Sequence, residues 1–176
     1  MEGNSIYSLI QKEVKSLELL RGEMEAMPKG NGEVLNTMRL EFLSLPENVG
    51  LARVAVAALA AQADITLNEM EEIKVAVSEA VANAIIHGYG GEPWGWVRVT
   101  VNRLRDGLEI IVEDDGKGIP DIAQAMQPAY STDPERMGLG FAFMQSFMDE
   151  LEVTSEEGRG TRVVMRKKLN PSVTTA

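Results

Sequence analysis

The 176-residue chain has no cysteine, a single histidine, no long apolar run and a shortage of positive charge, 17 Lys and Arg against 27 Asp and Glu. Without cysteine there is no disulfide framework and no thiolate metal site. Without an opening apolar stretch there is no expectation of a signal peptide or a membrane span, so a soluble, cytoplasmic protein is expected. A formal charge of −10 argues against non-specific binding to nucleic acid or anionic lipid, because both require a basic surface. The same charge requires local donors wherever an anion is to be held.

What is present is enough apolar material, 44%, for one domain with an appendage. Ile6, Leu9, Ile10, Leu17, Leu20, Met24 and Met27 recur mostly at spacings of three and four, with charged residues between them. This predicts an amphipathic helix over 4–27, stopped by Pro28 and followed by a Gly/Asn-rich linker. The expected organisation is therefore a helix and linker over 1–37, a main domain over 38–170 and a tail over 171–176.

Within the main domain, "MRLEFLSL" (38–45) reads as a strand and 48–62 as a helix with a broad apolar face. A second helix is predicted from Leu67 to the glycines at 88 and 90. Thr66 stands as its N-cap and Glu69 completes a capping box. "WVRVTVNRL" and "GLEIIVEDD", joined by Arg105 and Asp106, read as a hairpin. A short helix over "FAFMQSFMDE" and two closing strands at 151–156 and 161–169 follow. This order predicts an α+β fold: a two-layer sandwich with a mixed, mainly antiparallel sheet and helices on one face.

On the second helix, Glu79, Asn83 and the lone His87 are four residues apart. Such positions drift by only about 40° per step, so the three share one edge. That edge is either a solvated polar stripe or the wall of a site. Downstream, "EDDGKGIP" ends a strand in a carboxylate and a G-x-G, and "GLG" opens a helix after an irregular loop. Each piece alone is an ordinary turn signal. Together they supply the parts of a nucleotide site. A strand-end carboxylate can accept adenine's amino hydrogens, and glycines admit backbone to base and phosphates. A helix N-terminus offers N–H groups, an asparagine oxygen suits Mg²⁺, and a glutamate can act as base.

"SEAVANAIIHGY", "EDDGKGI", "MGLGFAFM" and "GRGTRV" resemble the four conserved boxes of the ATPase superfamily shared by gyrase, histidine kinases and the mismatch-repair protein MutL. "LARVAVAALAAQAD", "EIKVAVSEAVANAIIHGY", "QPAYST" and "FMQSFMDEL" resemble, more narrowly, the sporulation anti-sigma F factors, from Met38 to about Leu169. The resemblance implies the Bergerat-type ATPase fold. It implies a homodimer that binds ATP or ADP with Mg²⁺, inhibits a sigma factor of the sigma F type and phosphorylates a serine of an anti-anti-sigma factor. By position it implies Glu79 as catalytic base, Asn83 as Mg²⁺ ligand, and Asp114 with Gly116 and Gly118 as the adenine-reading turn. It also implies Gly138, Leu139, Gly140 and Phe141 as the phosphate loop, with Thr132 and Thr161 as further nucleotide contacts. Arg136 takes the place of the lid arginine and Arg53 that of the partner-binding arginine, while His87 reads as structural or as a support behind the site residues. The lid, "STDPERMGLG", departs from the family in being shorter and in carrying Asp133 where lysine is usual, which leaves open a module that sequesters its sigma factor with little kinase turnover. A histidine kinase half is disfavoured because the only histidine lies inside the helix, and a gyrase-like ATPase because no residues remain for a transducer domain.

Overall fold

The computed structural model describes residues 33–127 and 138–169. The helix expected at 4–27, its linker up to residue 32, Thr132, Asp133, Arg136 and the tail lie outside the described residues.

Five strands form one sheet: β1 (Val34–Leu43), β2 (Trp96–Leu104), β3 (Gly107–Asp114), β4 (Glu150–Glu156) and β5 (Gly160–Lys168). Their order across the sheet is β1-β2-β3-β5-β4, and each of the four pairings is antiparallel. The helices are α1 (Asn48–Ala60), α2 (Leu67–Asn83), α3 (Ile122–Ala125) and α4 (Gly140–Phe147), and a π-helical turn, Ala84–Gly88, prolongs α2. Arg105 and Asp106 do join β2 to β3 as a two-residue link.

The helices pack on one face of the sheet because the strands alternate. Leu40, Phe42, Val97, Val99 and Val101 on β1 and β2 continue into Leu108, Ile110, Val112, Val163 and Met165 on β3 and β5. Against them lie Ala52 and Val56 of α1, Ile73, Val77 and Val81 of α2, and Met144 of α4. Each fully buried valine or isoleucine contributes roughly 1.5–3 kcal/mol. Period 2 on the strands and period 3.6 on the helices thus meet in one core.

The start of α2 follows its sequence closely. Thr66 Oγ1 accepts from Glu69 N–H at 3.2 Å, and Glu69 Oε2 accepts from Thr66 N–H at 2.7 Å. The Thr66 N–H and hydroxyl, both donating to Glu69 Oε2, hold the Glu69 carboxyl below its ordinary range. Several boundaries differ from expectation. β1 begins at Val34 rather than Met38, since Val34–Thr37 extend the pairing with β2. α1 stops at Ala60 rather than at residue 62. α4 stops at Phe147 because Glu150 opens β4; Lys167 Nζ caps the freed end, donating to Phe147 O and to Glu72 Oε2, each at 2.8 Å.

On the opposite face one row of side chains crosses all five strands. Thr37 Oγ1 donates to Asn102 Oδ1 (2.8 Å), and Asn102 Nδ2 to Glu109 Oε1 (3.1 Å). Arg166 Nε donates to Glu109 Oε2 (2.8 Å), and Arg166 Nη1 to Glu150 Oε2 (3.3 Å). A one-residue slip of any strand would break this file, so it pins the register. Asn102→Ala is expected to cost roughly 1–3 kcal/mol, because Glu109 is buried and loses a donor. Urea unfolding should show a lower midpoint with an unchanged slope.

Candidate functional site

The edge of α2 opposite its core stripe borders a cavity of about 780 Å³. Glu79, Asn83 and His87 all line it, so the four-residue spacing marks a wall and not a solvated stripe. Asp114, at the end of β3, forms part of the lining together with Gly118, Gly138 to Phe141 and Thr161. The volume is in the range typical of small-molecule sites.

At the cavity wall the start of α4 approaches α2 closely because Gly140 has no side chain. A Cβ on Gly140 would stand 3.0 Å from Glu79 Oε2 and 3.2 Å from Asn83 Nδ2. The first residue of α4 therefore leaves a small cradle between the helix end, the carboxylate and the amide. Free N–H groups at the start of α4 favour an anion beside it. Asn83 offers a neutral oxygen and Glu79 a carboxylate at the same cradle, a donor set that fits a hard cation taking one protein ligand and phosphate oxygens.

The strand end is built by close approach of backbone. A Cβ on Gly88 would lie 2.8 Å from Asp114 Oδ1, and one on Gly116 would lie 2.4 Å from the Gly88 carbonyl oxygen. Gly88 O accepts from Lys117 N–H at 3.0 Å. Gly116 thus does not line the cavity; it lets the turn lie flat on the helix end.

Asp114 is 6% exposed, and its Oδ1 accepts from Gly116 N–H at 2.9 Å. Burial pushes its carboxyl up to about 6, against the opposing effect of the amide hydrogen bonds. Across from it, Ser155 Oγ accepts from Ile119 N–H and donates to Gly160 O, both at 2.8 Å, and lies 3.0 Å from Thr161 Oγ1. This ties the loop after β3 to the β4–β5 turn.

Among the described lining residues the charge is mainly acidic: Glu79, Asp114, Asp121 and Glu157 against Lys117. Lys117 was not singled out by the sequence, and its position in the G-x-G was the available signal. Tyr89 was missed as well; a tyrosine directly after a helix end, in an otherwise apolar setting, signals a hydroxyl with a partner. Arg53 is exposed on α1, flanked by exposed Leu51 and Val54, and is not among the cavity residues. Thr132 and Arg136 lie outside the described residues.

Comparison with known proteins places this geometry. The model of the histidine kinase-like ATPase domain matches residues 42–167. The chain is 52% identical over 136 residues to the anti-sigma F factor of Clostridium novyi (strain NT), covering 76% of this chain and 95% of that one. To the anti-sigma F factor of Clostridium beijerinckii (strain ATCC 51743 / NCIMB 8052) it is 51% identical over 137 residues, covering 77% and 96%. The solved RsbU and RsbW domains of a Mycobacterium tuberculosis protein align with a TM-score of 0.57 at 16% identity, over 77% of this chain and 33% of that one. This chain thus spans about a third of that structure's length. The catalytic domain of the histidine kinase ThkA aligns with a TM-score of 0.50 at 17% identity, over 76% and 99%. These two likenesses speak for the fold alone. With half of the aligned residues shared with relatives along nearly their whole length, this chain belongs to the anti-sigma F factor family, within the histidine kinase-like ATPase domains.

Proposed function

We propose that this protein is a partner-switching anti-sigma factor that inhibits a sigma factor of the sigma F type and uses ATP to phosphorylate a serine of an anti-anti-sigma factor. The observation that carries the kinase reading is the cradle at Gly140, where a carboxylate, an amide oxygen and a helix N-terminus converge with no side chain between them. Phosphoryl transfer needs positioning and charge neutralisation above all; the cradle offers the first, together with a seat for the cation that would supply the second.

In this reading Asp114 accepts a hydrogen bond from the adenine amino group. Backbone N–H groups of 138–140 and the start of α4 receive the phosphates, with Thr161 and Gly118 shaping the wall. Asn83 would hold Mg²⁺, which neutralises phosphate charge when bound. Glu79 draws the proton from the serine hydroxyl as its oxygen attacks the γ-phosphorus. The new O–P bond forms as the bond to the β-phosphate oxygen breaks, so the products are phosphoserine and ADP, with the proton on Glu79. Arg136 and Thr132 would complete the site from the stretch between 128 and 137. A homodimer in the cytoplasm is the expected working form.

Asn83→Ala is expected to abolish nucleotide binding by calorimetry. Glu79→Gln is expected to keep ADP affinity within about twofold and to lower phosphate transfer to the partner at least 100-fold, a general-base effect. A normal rate of phosphoserine formation in Glu79→Gln would refute the base assignment. If the unaltered protein binds ATP and retains a sigma factor but transfers no phosphate over hours, it acts as a sequestering module.

Asp114 gives a pH dependence with opposite signs for stability and binding. Its folded value, about 6, exceeds the ordinary 3.8. The stability it contributes is present below 3.8 and lost as pH rises through about 6, because the folded protein must then bury a charge. Adenine recognition needs that charge as an acceptor, so ADP affinity should fall as pH is lowered through about 6. Asp114→Asn keeps an acceptor for Gly116 N–H. It is expected to stabilise the protein at pH 7.5 by on the order of 1–3 kcal/mol while losing preference for adenine. Thermal unfolding at pH 7.5 and calorimetry from pH 5 to 8 check both halves.

Arg53→Ala is expected to weaken the complex with the sigma factor at least tenfold, the loss of one interfacial charge, and to leave ADP affinity unchanged. A complex that survives gel filtration at the same concentrations would exclude this role.

A further inference from the structure

The turn that carries Asp114 is held from outside the cavity. Three successive amides in it have three different acceptors. Asp115 N–H donates to the Tyr89 hydroxyl oxygen at 2.8 Å, Gly116 N–H to Asp114 Oδ1 at 2.9 Å, and Lys117 N–H to Gly88 O at 3.0 Å. The Tyr89 hydroxyl passes its own proton onward, donating to Trp96 O at 2.7 Å. Arg98, two residues along β2, grips the Asp115 carboxylate in a bidentate pair, Nη1 to Oδ2 at 2.6 Å and Nη2 to Oδ1 at 2.7 Å.

None of Tyr89, Arg98 and Asp115 lines the cavity. Tyr89 is 4% exposed, and its ring packs T-shaped with Trp94 at a centroid distance of 4.9 Å. Its slot exists because Gly95 has no Cβ, which would stand 2.1 Å from the ring. Phenylalanine would fill that slot equally well, so the hydroxyl is distinguished by its two hydrogen bonds alone. One fixes the peptide directly after Asp114, and the other anchors it to β2.

We propose that Tyr89 and Arg98 are positioning residues for base selectivity: they clamp the 114–115 peptide from β2 and the end of α2, and so aim the Asp114 carboxylate at the exocyclic amino group of adenine. This rests on the reading of Asp114 as the base-reading residue. A hydrogen bond to that amino group is directional. The Asp114 carboxylate already accepts from Gly116 N–H and is held by the Thr161 amide as well, so a small tilt of the next peptide misaligns what remains for the base. Nucleotides without the amino group lose nothing by such a tilt.

The test compares ADP with inosine diphosphate, which carries a carbonyl oxygen in place of the amino group, by calorimetry on the full chain. Tyr89→Phe and Arg98→Met are each expected to lower ADP affinity about fivefold to tenfold, the worth of one hydrogen bond, and to leave inosine diphosphate affinity unchanged. Arg98→Lys, which keeps the charge but not the fork, should recover part of the loss. Asp114→Asn serves as the control. If it removes the preference for ADP while Tyr89→Phe and Arg98→Met keep it, or lower both affinities alike, the clamp is overturned and Asp114 stands. If Asp114→Asn keeps the preference, the reading of Asp114 itself fails and the clamp falls with it. Should Tyr89→Phe not fold by circular dichroism, Arg98→Met decides alone, since its pair with Asp115 is partly exposed.

Discussion

A helix end and a loop must meet at Gly88 with nothing between them, and the site depends on that contact. The carbonyl of Gly88 accepts from Lys117 while Gly116 lies flat against it and Asp114 Oδ1 sits where a side chain would otherwise project. Any Cβ at Gly88 or Gly116 would push β3's end away from α2. The π-helical turn Ala84–Gly88 belongs to the same constraint. Single π turns recur at functional sites because they re-aim the last residues of a helix. Here the widened turn delivers Gly88 to the loop and Tyr89 to the amide of Asp115.

The contact has an electrostatic consequence. Closing the seam buries Asp114, and its raised pKa records the desolvation. A carboxylate in that position opposes folding near neutral pH, and a neutral isostere would not. Asp114 lines the cavity, so in the proposed reading a bound nucleotide uses that charge, a usual reason for a locally unfavourable residue at a site. The acidic lining deepens the problem for a phosphate ligand. Among the described residues, the favourable interaction comes from fixed backbone dipoles at the start of α4 rather than from the net field of a chain at −10.

Features governed by local chemistry were legible in the sequence. The Thr66–Glu69 capping box, the Arg105–Asp106 link and the strand alternation are each set within a few residues, and each is found. The shared edge of Glu79, Asn83 and His87 was legible too, because helical periodicity is local. Less visible was whatever required two distant segments at once. The file from Thr37 to Glu150 exists only after five strands have registered, and no window of sequence contains it. The early start of β1 has the same origin: Val34–Thr37 look like linker until β2 offers them a partner. Gly88 read as a helix stop, and its carbonyl's partner lies 29 residues on.

One helix therefore governs both ends of the proposed nucleotide. Glu79 and Asn83 face the cradle for the phosphates, and Gly88 and Tyr89 hold the turn that would read the base. The offset from Asn83 to Gly88 is set by the π-helical turn Ala84–Gly88 that prolongs α2. Because α2 is buried along Ile73, Val77 and Val81, that interval cannot stretch without disturbing the core. A ligand that fits the base turn thus has its phosphates delivered to Glu79 at a fixed offset. Base recognition and phosphoryl positioning become one geometric requirement, and a change at the clamp should reach the chemistry through the orientation of the nucleotide and not through Glu79 itself.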